Sequence, residues 1–191
     1  EDELKDCIAK AYDEKFDTEE IAPIKEADGA YYLELFHGAT IAFKDMALSI
    51  LPHLLITSAK KNQVKDEIVI LTATSGDTGK AALAGFADVP GTKIVVFYPK
   101  NGVSPIQEKQ MVTQKGDNTF VVGIKGNFDD AQTGVKKILE IKHWRRSWQR
   151  QVSVFRRQTL LILDVWFRKL FIMCMHMQSC TRQESWRRMK D

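Results

Sequence analysis

Residues 1–138 contain no arginine and no tryptophan, and residues 139–191 contain no glycine and no proline. All nine arginines and all four tryptophans therefore fall in the tail. The charge divides at the same place. Sixteen lysines against twenty-one acids leave residues 1–138 at −5, and twelve basic residues against four acids put the remainder at +8, which accounts for the overall +3. The two parts do not read as one globular design. Cysteine is scarce as well. Cys7, Cys174 and Cys180 have no metal-ligand spacing and give neither a disulfide framework nor a zinc site. No run of ~20 apolar residues is long enough to span a bilayer, and no early apolar run resembles a signal peptide. A cytoplasmic protein without a membrane partner is the expectation. At 191 residues the chain has room for one domain, or one and a half.

What is present before residue 139 has a regular pattern. Leu4, Cys7, Ile8, Ala11 and Tyr12 recur at helical spacing after early acids, which predicts an amphipathic helix over 2–15. A short strand is expected over 31–36, behind an Asp28-Gly29 turn. A helix over 43–61 should bury Ala47, Leu48, Leu51, Leu54 and Leu55, with a kink or break near Pro52. The run 67–74 is continuously apolar, as in a parallel strand covered on both faces. A helix over 80–87 follows, then a strand over 93–98. Ser104-Pro105 opens the next helix, with proline at its first position, where the missing N–H costs nothing. A strand over 119–124 and a helix capped by Asn127 or Asp129, running to about 138, complete the series. Strand and helix alternate three times, so the expected fold is α/β, a doubly wound parallel sheet with right-handed crossovers.

Two stretches carry chemistry. FHGATIAFKD at 36–45 places Lys44 between Phe43 and Asp45, where a glycine-containing turn gives way to an apolar helix. Most lysines are solvated surface residues, but a desolvated lysine can lose its proton and attack an aldehyde. The second stretch, TSGDTG at 74–79, turns from strand to helix. A nucleotide-binding P-loop would need glycine at 74 and Ser or Thr at 81. Thr74 and Ala81 stand there instead, so that reading fails. What remains is a turn whose N–H groups and hydroxyls, at a helix N-terminus, suit an anion. It lies at the carboxyl end of a parallel strand, where such sheets bind ligands. His37, Lys100, Asn101 and the helix face 107–110 are assigned no site, and 126–130 is read as a helix cap.

Together, in this order and about one βα unit apart, the two stretches resemble the threonine synthase family, whose wider group includes threonine dehydratase and cysteine synthase. The resemblance covers about residues 1–138. It implies a pyridoxal-phosphate (PLP) enzyme of fold type II, a lyase converting O-phosphohomoserine and water to threonine and phosphate. By that resemblance Lys44 forms the Schiff base with the cofactor and shuttles protons at the substrate, while Phe43 and Asp77 flank the cofactor. Ser75, Gly76, Asp77 and Thr78 would grip the substrate carboxylate. The sequence departs from the pattern at Ala39, where the family has proline, and at Asp77, where relatives of the wider group have asparagine. Dehydratases of the same fold generally carry an SxNHxxG-type lysine motif, which counts against that alternative.

The family's glycine-rich cup for the cofactor phosphate has no counterpart, because no glycine follows Gly134. Residues from about 139–142 to 191 resemble the correct gene read in the wrong frame. Starting each codon at the third nucleotide of the previous one forces 173–178 to read V-(Y/H)-A-(Y/H)-A. Permitted codons extended back to Gln158 give NSINIGRLVPQVVYYVYAYAKL, similar to the stretch that follows in threonine synthases. The expectation is a fragment, itself inactive, with a basic tail that is not a designed domain. An Arg/Trp segment could bind nucleic acid. No RNA-binding motif or regular basic spacing is present, so a non-catalytic remnant with a binding tail ranks below the enzyme, and no nucleic-acid partner is expected.

Overall fold

The computed structural model of the chain describes residues 1–65 and 67–140. The expectations for the basic tail fall outside the described residues from 141 onward. The elements are α1 (Asp2–Ala11), β1 (Ile24–Ala27), β2 (Ala30–Leu33), α2 (Asp45–Lys61), β3 (Ile68–Ala73), α3 (Asp77–Phe86), β4 (Thr92–Pro99), α4 (Pro105–Val112), β5 (Thr119–Ile124) and α5 (Phe128–Glu140).

Strands β3, β4 and β5 form a parallel sheet in that order, with Ile70 opposite Ile94 and Ile94 opposite Thr119. The α/β class with a parallel sheet is the one the alternation predicted. Val69, Ile70 and Leu71 of β3 are all buried, so neither face of that strand meets water. On β4 the residues Ile94 and Val96 are fully buried. Helix α3 lies against this face, since a Cβ on Gly79 would come within 2.9 Å of the Val96 side chain. Leu83 and Phe86 of α3 are also fully buried. Removing each from water is worth roughly 1.5–3 kcal/mol. Helix α5 packs against β3 and β4 through buried Ala131 and Val135.

Several boundaries move. The Asp28-Gly29 turn is real, with φ of +52° and +74°, but it joins two strands in an antiparallel hairpin, Ala27 opposite Ala30. A two-residue turn with both φ positive matches the twist of its flanking strands. The strand expected over 31–36 ends at Leu33, and β1 was not anticipated, its Lys25 and Glu26 being exposed. Helix α1 buries Cys7 and Ala11, while Leu4 and Ile8 of the expected stripe are 51% and 43% exposed. Only a narrow face meets α2, where the Cys7 sulfur lies 3.3 Å from the Thr57 hydroxyl and the Tyr12 hydroxyl donates to Met46 O. Of the expected face of α2, Ala47 and Leu48 are buried and Leu51, Leu54 and Leu55 half-buried.

Helix α2 also runs through Pro52 without interruption, so of the kink or break expected there the break is absent. A proline has no N–H to give Leu48 O, four residues earlier. That carbonyl instead faces α3 at Gly85, so closely that a Cβ there would sit 2.2 Å from it. The two helices therefore touch backbone to backbone at Leu48 and Gly85.

Candidate functional site

Asp45 holds the turn that presents Lys44. It is 3% exposed, and its carboxylate accepts from Thr40 N at 2.8 Å, the Thr40 hydroxyl at 2.6 Å and Ala42 N at 3.3 Å. Gly38 closes the same turn, its carbonyl accepting from Ile41 N, and a Cβ at Gly38 would collide with Asp45 Cβ at 2.4 Å. Ile41 takes φ of +59° with its side chain 70% exposed, a strained backbone for a β-branched residue. The helix expected from residue 43 thus begins at Asp45, because Ala42, Phe43 and Lys44 still belong to this turn. Lys44 occupies the position just before α2, its ammonium 5.5 Å from the centroid of the Phe43 ring.

His37 anchors the turn from behind. Its ring nitrogens meet the carboxylates of Asp17 and Glu34, and the ring lies on Phe36 with centroids 4.6 Å apart. Hydrogen bonds to Glu34 and Asp17 favour the charged imidazolium and raise its pKa above 6.5. The residue belongs to the scaffold of the turn and does not meet Lys44 in any described contact.

The second stretch forms around Thr74. Its buried hydroxyl accepts from Gly76 N at 3.0 Å and Gly79 N at 2.9 Å. This long-range cap lets α3 start at Asp77, three residues before the expected Lys80, so Asp77, Thr78 and Gly79 form its first turn. Lys80 N is taken by Gly76 O. The N–H groups of Asp77 and Thr78 have no acceptor among the described residues, as is general for the first turn of an α-helix. Ser75 is exposed beside them, and Gly76 is buried.

The two stretches meet. The Lys44 ammonium donates to the Thr78 hydroxyl at 2.5 Å, joining residues 34 apart in sequence. Phe43, Lys44, Ser75, Gly76, Asp77 and Thr78 are therefore brought to one region at the carboxyl end of β3.

Three residues of this region were not singled out as site residues. Gln107, on α4, donates from Nε2 to Asp77 Oδ1 at 2.9 Å, while its own Oε1 accepts from the Ser104 hydroxyl at 3.1 Å. Its side chain lies where a Cβ of Gly76 would be, within 2.5 Å. The signal for it was Ser104-x-x-Gln107, a capping box, here complete. Lys80 is 8% exposed and pairs with Asp77 Oδ1 at 3.1 Å. Thr74 is the third. Burial pushes the Asp77 carboxyl up, but the Gln107 hydrogen bond, the Lys80 hydrogen bond and charge, and the Lys44 charge outweigh it, and its pKa lies below the usual carboxylate value.

The geometry brings an amine from the start of α2 onto the start of α3, at the carboxyl end of a parallel strand, where open α/β sheets bind ligands. No protein-family model matches the chain. The threonine synthase of Pseudomonas aeruginosa is 45% identical over 117 residues, 61% of this chain and 24% of that protein. Human threonine synthase-like 1 is 39% identical over 141 residues, 71% of this chain and 19% of that one. Among solved structures, a PLP-bound threonine synthase from Brucella melitensis superposes with a TM-score of 0.71 at 28% identity, covering 90% of this chain and 37% of its own. The chain is thus a homologue of the threonine synthases and threonine synthase-like proteins, a family of PLP-dependent lyases. It spans only 19–37% of the length of these three relatives. No described helix is long and apolar enough to cross a membrane.

Proposed function

We propose that these residues form the lysine and carboxylate-loop portion of a threonine synthase site for O-phosphohomoserine in the cytoplasm, in a chain that is itself inactive. The observation that carries the reading is the Lys44–Thr78 hydrogen bond, which unites the two motifs in one place. The residues present fit PLP at its aldehyde end. Lys44 supplies a primary amine on a turn fixed by Asp45, and a hydroxyl orients that amine. PLP, when bound, supplies the electron sink that makes the substrate α-proton removable.

The protein's own groups do the rest. In the complete site Lys44 would take protons from Cα and then Cβ of the substrate and return protons at Cγ and Cα. Thr78 accepts from the ammonium and fixes the direction of its lone pair after deprotonation. The Ser75 hydroxyl and the Asp77 and Thr78 N–H groups receive the substrate carboxylate, favoured by the positive end of α3. Phe43 gives an apolar wall beside the amine. Phosphate leaves Cγ and water adds at Cβ, giving threonine and phosphate.

The test is covalent trapping. The full chain is incubated with PLP, reduced with sodium borohydride, and its peptides are weighed. The label should sit on the peptide containing Lys44 and vanish in Lys44→Ala. Label spread evenly over the surface lysines, unchanged in Lys44→Ala, would refute the assignment.

A further inference from the structure

Gln107 is committed at both ends of its amide. Its Oε1 accepts from the Ser104 hydroxyl at 3.1 Å and from Ser104 N at 3.3 Å, inside the capping box that starts α4. Its Nε2 donates to Asp77 Oδ1 at 2.9 Å, 30 residues back in the chain. The amide can stand only one way round, because a flip would turn Oε1 onto a carboxylate oxygen. The same Asp77 oxygen takes the Lys80 ammonium at 3.1 Å, so two side chains hold the carboxylate. The Gln107 amide also fills the space over Gly76, where a Cβ would lie 2.5–2.7 Å from its Cδ, Oε1 and Nε2. Gly76 has φ of +141°, a backbone conformation that glycine takes readily and other residues rarely do.

Both helix starts are secured without this link. Helix α4 has its capping box and Pro105, and it is seated by fully buried Met111 and by Glu108, which accepts from the Tyr98 hydroxyl at 2.7 Å. Helix α3 is tied to Thr74 through Gly79 N and buries Leu83 and Phe86. What the Gln107–Asp77 bond adds is a fixed place for Asp77. The next residue, Thr78, is the one whose hydroxyl receives the Lys44 ammonium.

We propose that Gln107 is a positioning residue for Lys44: by clamping Asp77 from α4, it holds the first turn of α3 where the Thr78 hydroxyl meets the Lys44 amine. The path is short and each step is a contact. It runs from Ser104 to Gln107, from Gln107 to Asp77, across one peptide to Thr78, and from Thr78 to Lys44. Helix α4, which brings no group of its own to Lys44 in any described contact, thereby sets the surroundings of that amine.

The inference rests on the reading of Lys44 as the PLP-binding amine, but one arm of its test needs no cofactor. Gln107→Glu keeps the acceptor that Ser104 uses and sets a carboxylate against Asp77 Oδ1. Asp77→Asn in that background reverses donor and acceptor across the same gap and leaves one carboxylate in the cluster with Lys80. Ser104→Ala breaks the capping box but leaves Gln107 on Asp77, so it reports the stability of α4 alone. In the full chain, amide hydrogen exchange over residues 74–80 is followed by mass, and borohydride trapping of PLP on Lys44 is timed. Gln107→Glu should speed exchange at Gly79 and Lys80 and slow trapping, each about tenfold, as loss of a charge-assisted hydrogen bond implies. The double variant should recover most of both. Ser104→Ala should lower the urea midpoint and leave both readouts within about twofold of wild type. Unchanged exchange or unchanged trapping in a folded Gln107→Glu protein overturns the proposal. It is equally overturned if the double variant recovers neither readout, or if Ser104→Ala loses as much as Gln107→Glu. Where Gln107→Glu does not fold, Gln107→Met, which fills the same space without the donor, takes its place with the same outcomes. Failure of PLP to label Lys44 in the unaltered chain would sink the cofactor assignment separately, and the exchange arm would still decide the clamp.

Discussion

Two glycine-to-alanine changes in the same chain should have opposite signs. In a helix interior, alanine is favoured over glycine by about 0.5–1 kcal/mol. Gly134 in α5 has nothing within 4 Å of a would-be Cβ, so Gly134→Ala should stabilise by about that amount. Gly85 in α3 faces Leu48 O at 2.2 Å, when ordinary contact begins at 3.4 Å. The obstacle is main chain and cannot swing aside, so α2 and α3 must separate by about an ångström, loosening fully buried Leu48 and Leu83. Overpacking of this kind costs about 1–3 kcal/mol and sometimes more. After the propensity gain, Gly85→Ala should destabilise by about 1–2.5 kcal/mol, the upper part of what remains, because the obstacle is rigid. With a urea m-value of about 1.5 kcal/mol/M, the midpoint should fall by about 0.7–1.7 M for Gly85→Ala and rise by about 0.5 M for Gly134→Ala. Because Leu48 stands one turn after Lys44, PLP trapping at Lys44 should also weaken in Gly85→Ala and not in Gly134→Ala. A Gly85→Ala protein within 0.5 kcal/mol of wild type, or more stable than it, would refute the backbone contact.

Asp45→Ala should cost about 2–4 kcal/mol in urea unfolding, since it strands the Thr40 and Ala42 donors in a buried turn. It should also abolish trapping at Lys44 even where the fold survives in low urea. His37 gives a pH dependence of definite sign. Its folded pKa lies above 6.5, so its carboxylate contacts stabilise fully below pH 6.5 and are lost as pH rises through the folded value. The melting temperature should therefore fall between pH 6 and pH 8.5, and the fall should be smaller in His37→Gln; equal slopes in both proteins would remove His37 as the cause.

The parts of the fold legible in the sequence are those set by local chemistry. The run Ile68–Ala73 is apolar throughout because both faces are covered, and Asp28-Gly29 can supply two positive φ angles in succession. Ser104-Pro105 starts a helix whatever surrounds it. The parts that were illegible depend on a second segment. The short strand β1 is polar and exposed, and it exists only because β2 pairs with it. Helix α3 starts early because Thr74, before the turn, reaches forward to Gly79 N, whereas SGDTG read alone is a loop. Pro52 looks like a helix breaker until the orphaned Leu48 carbonyl is found against Gly85.

The site divides the same way. Lys44 and Thr78 each lie in a recognisable motif, but their hydrogen bond is a tertiary fact, as is the 30-residue span from Asp77 to Gln107. Lys80 is the sharpest case. A lysine beside a glycine in an alanine-rich helix reads as solvated, and only the packing of α3 makes it a buried cation that needs Asp77. Within this chain the departure to aspartate at position 77 then has a physical reason. An asparagine there could still meet Gln107, but it could not neutralise Lys80, so the acid at 77 and the lysine at 80 stand or fall as a pair.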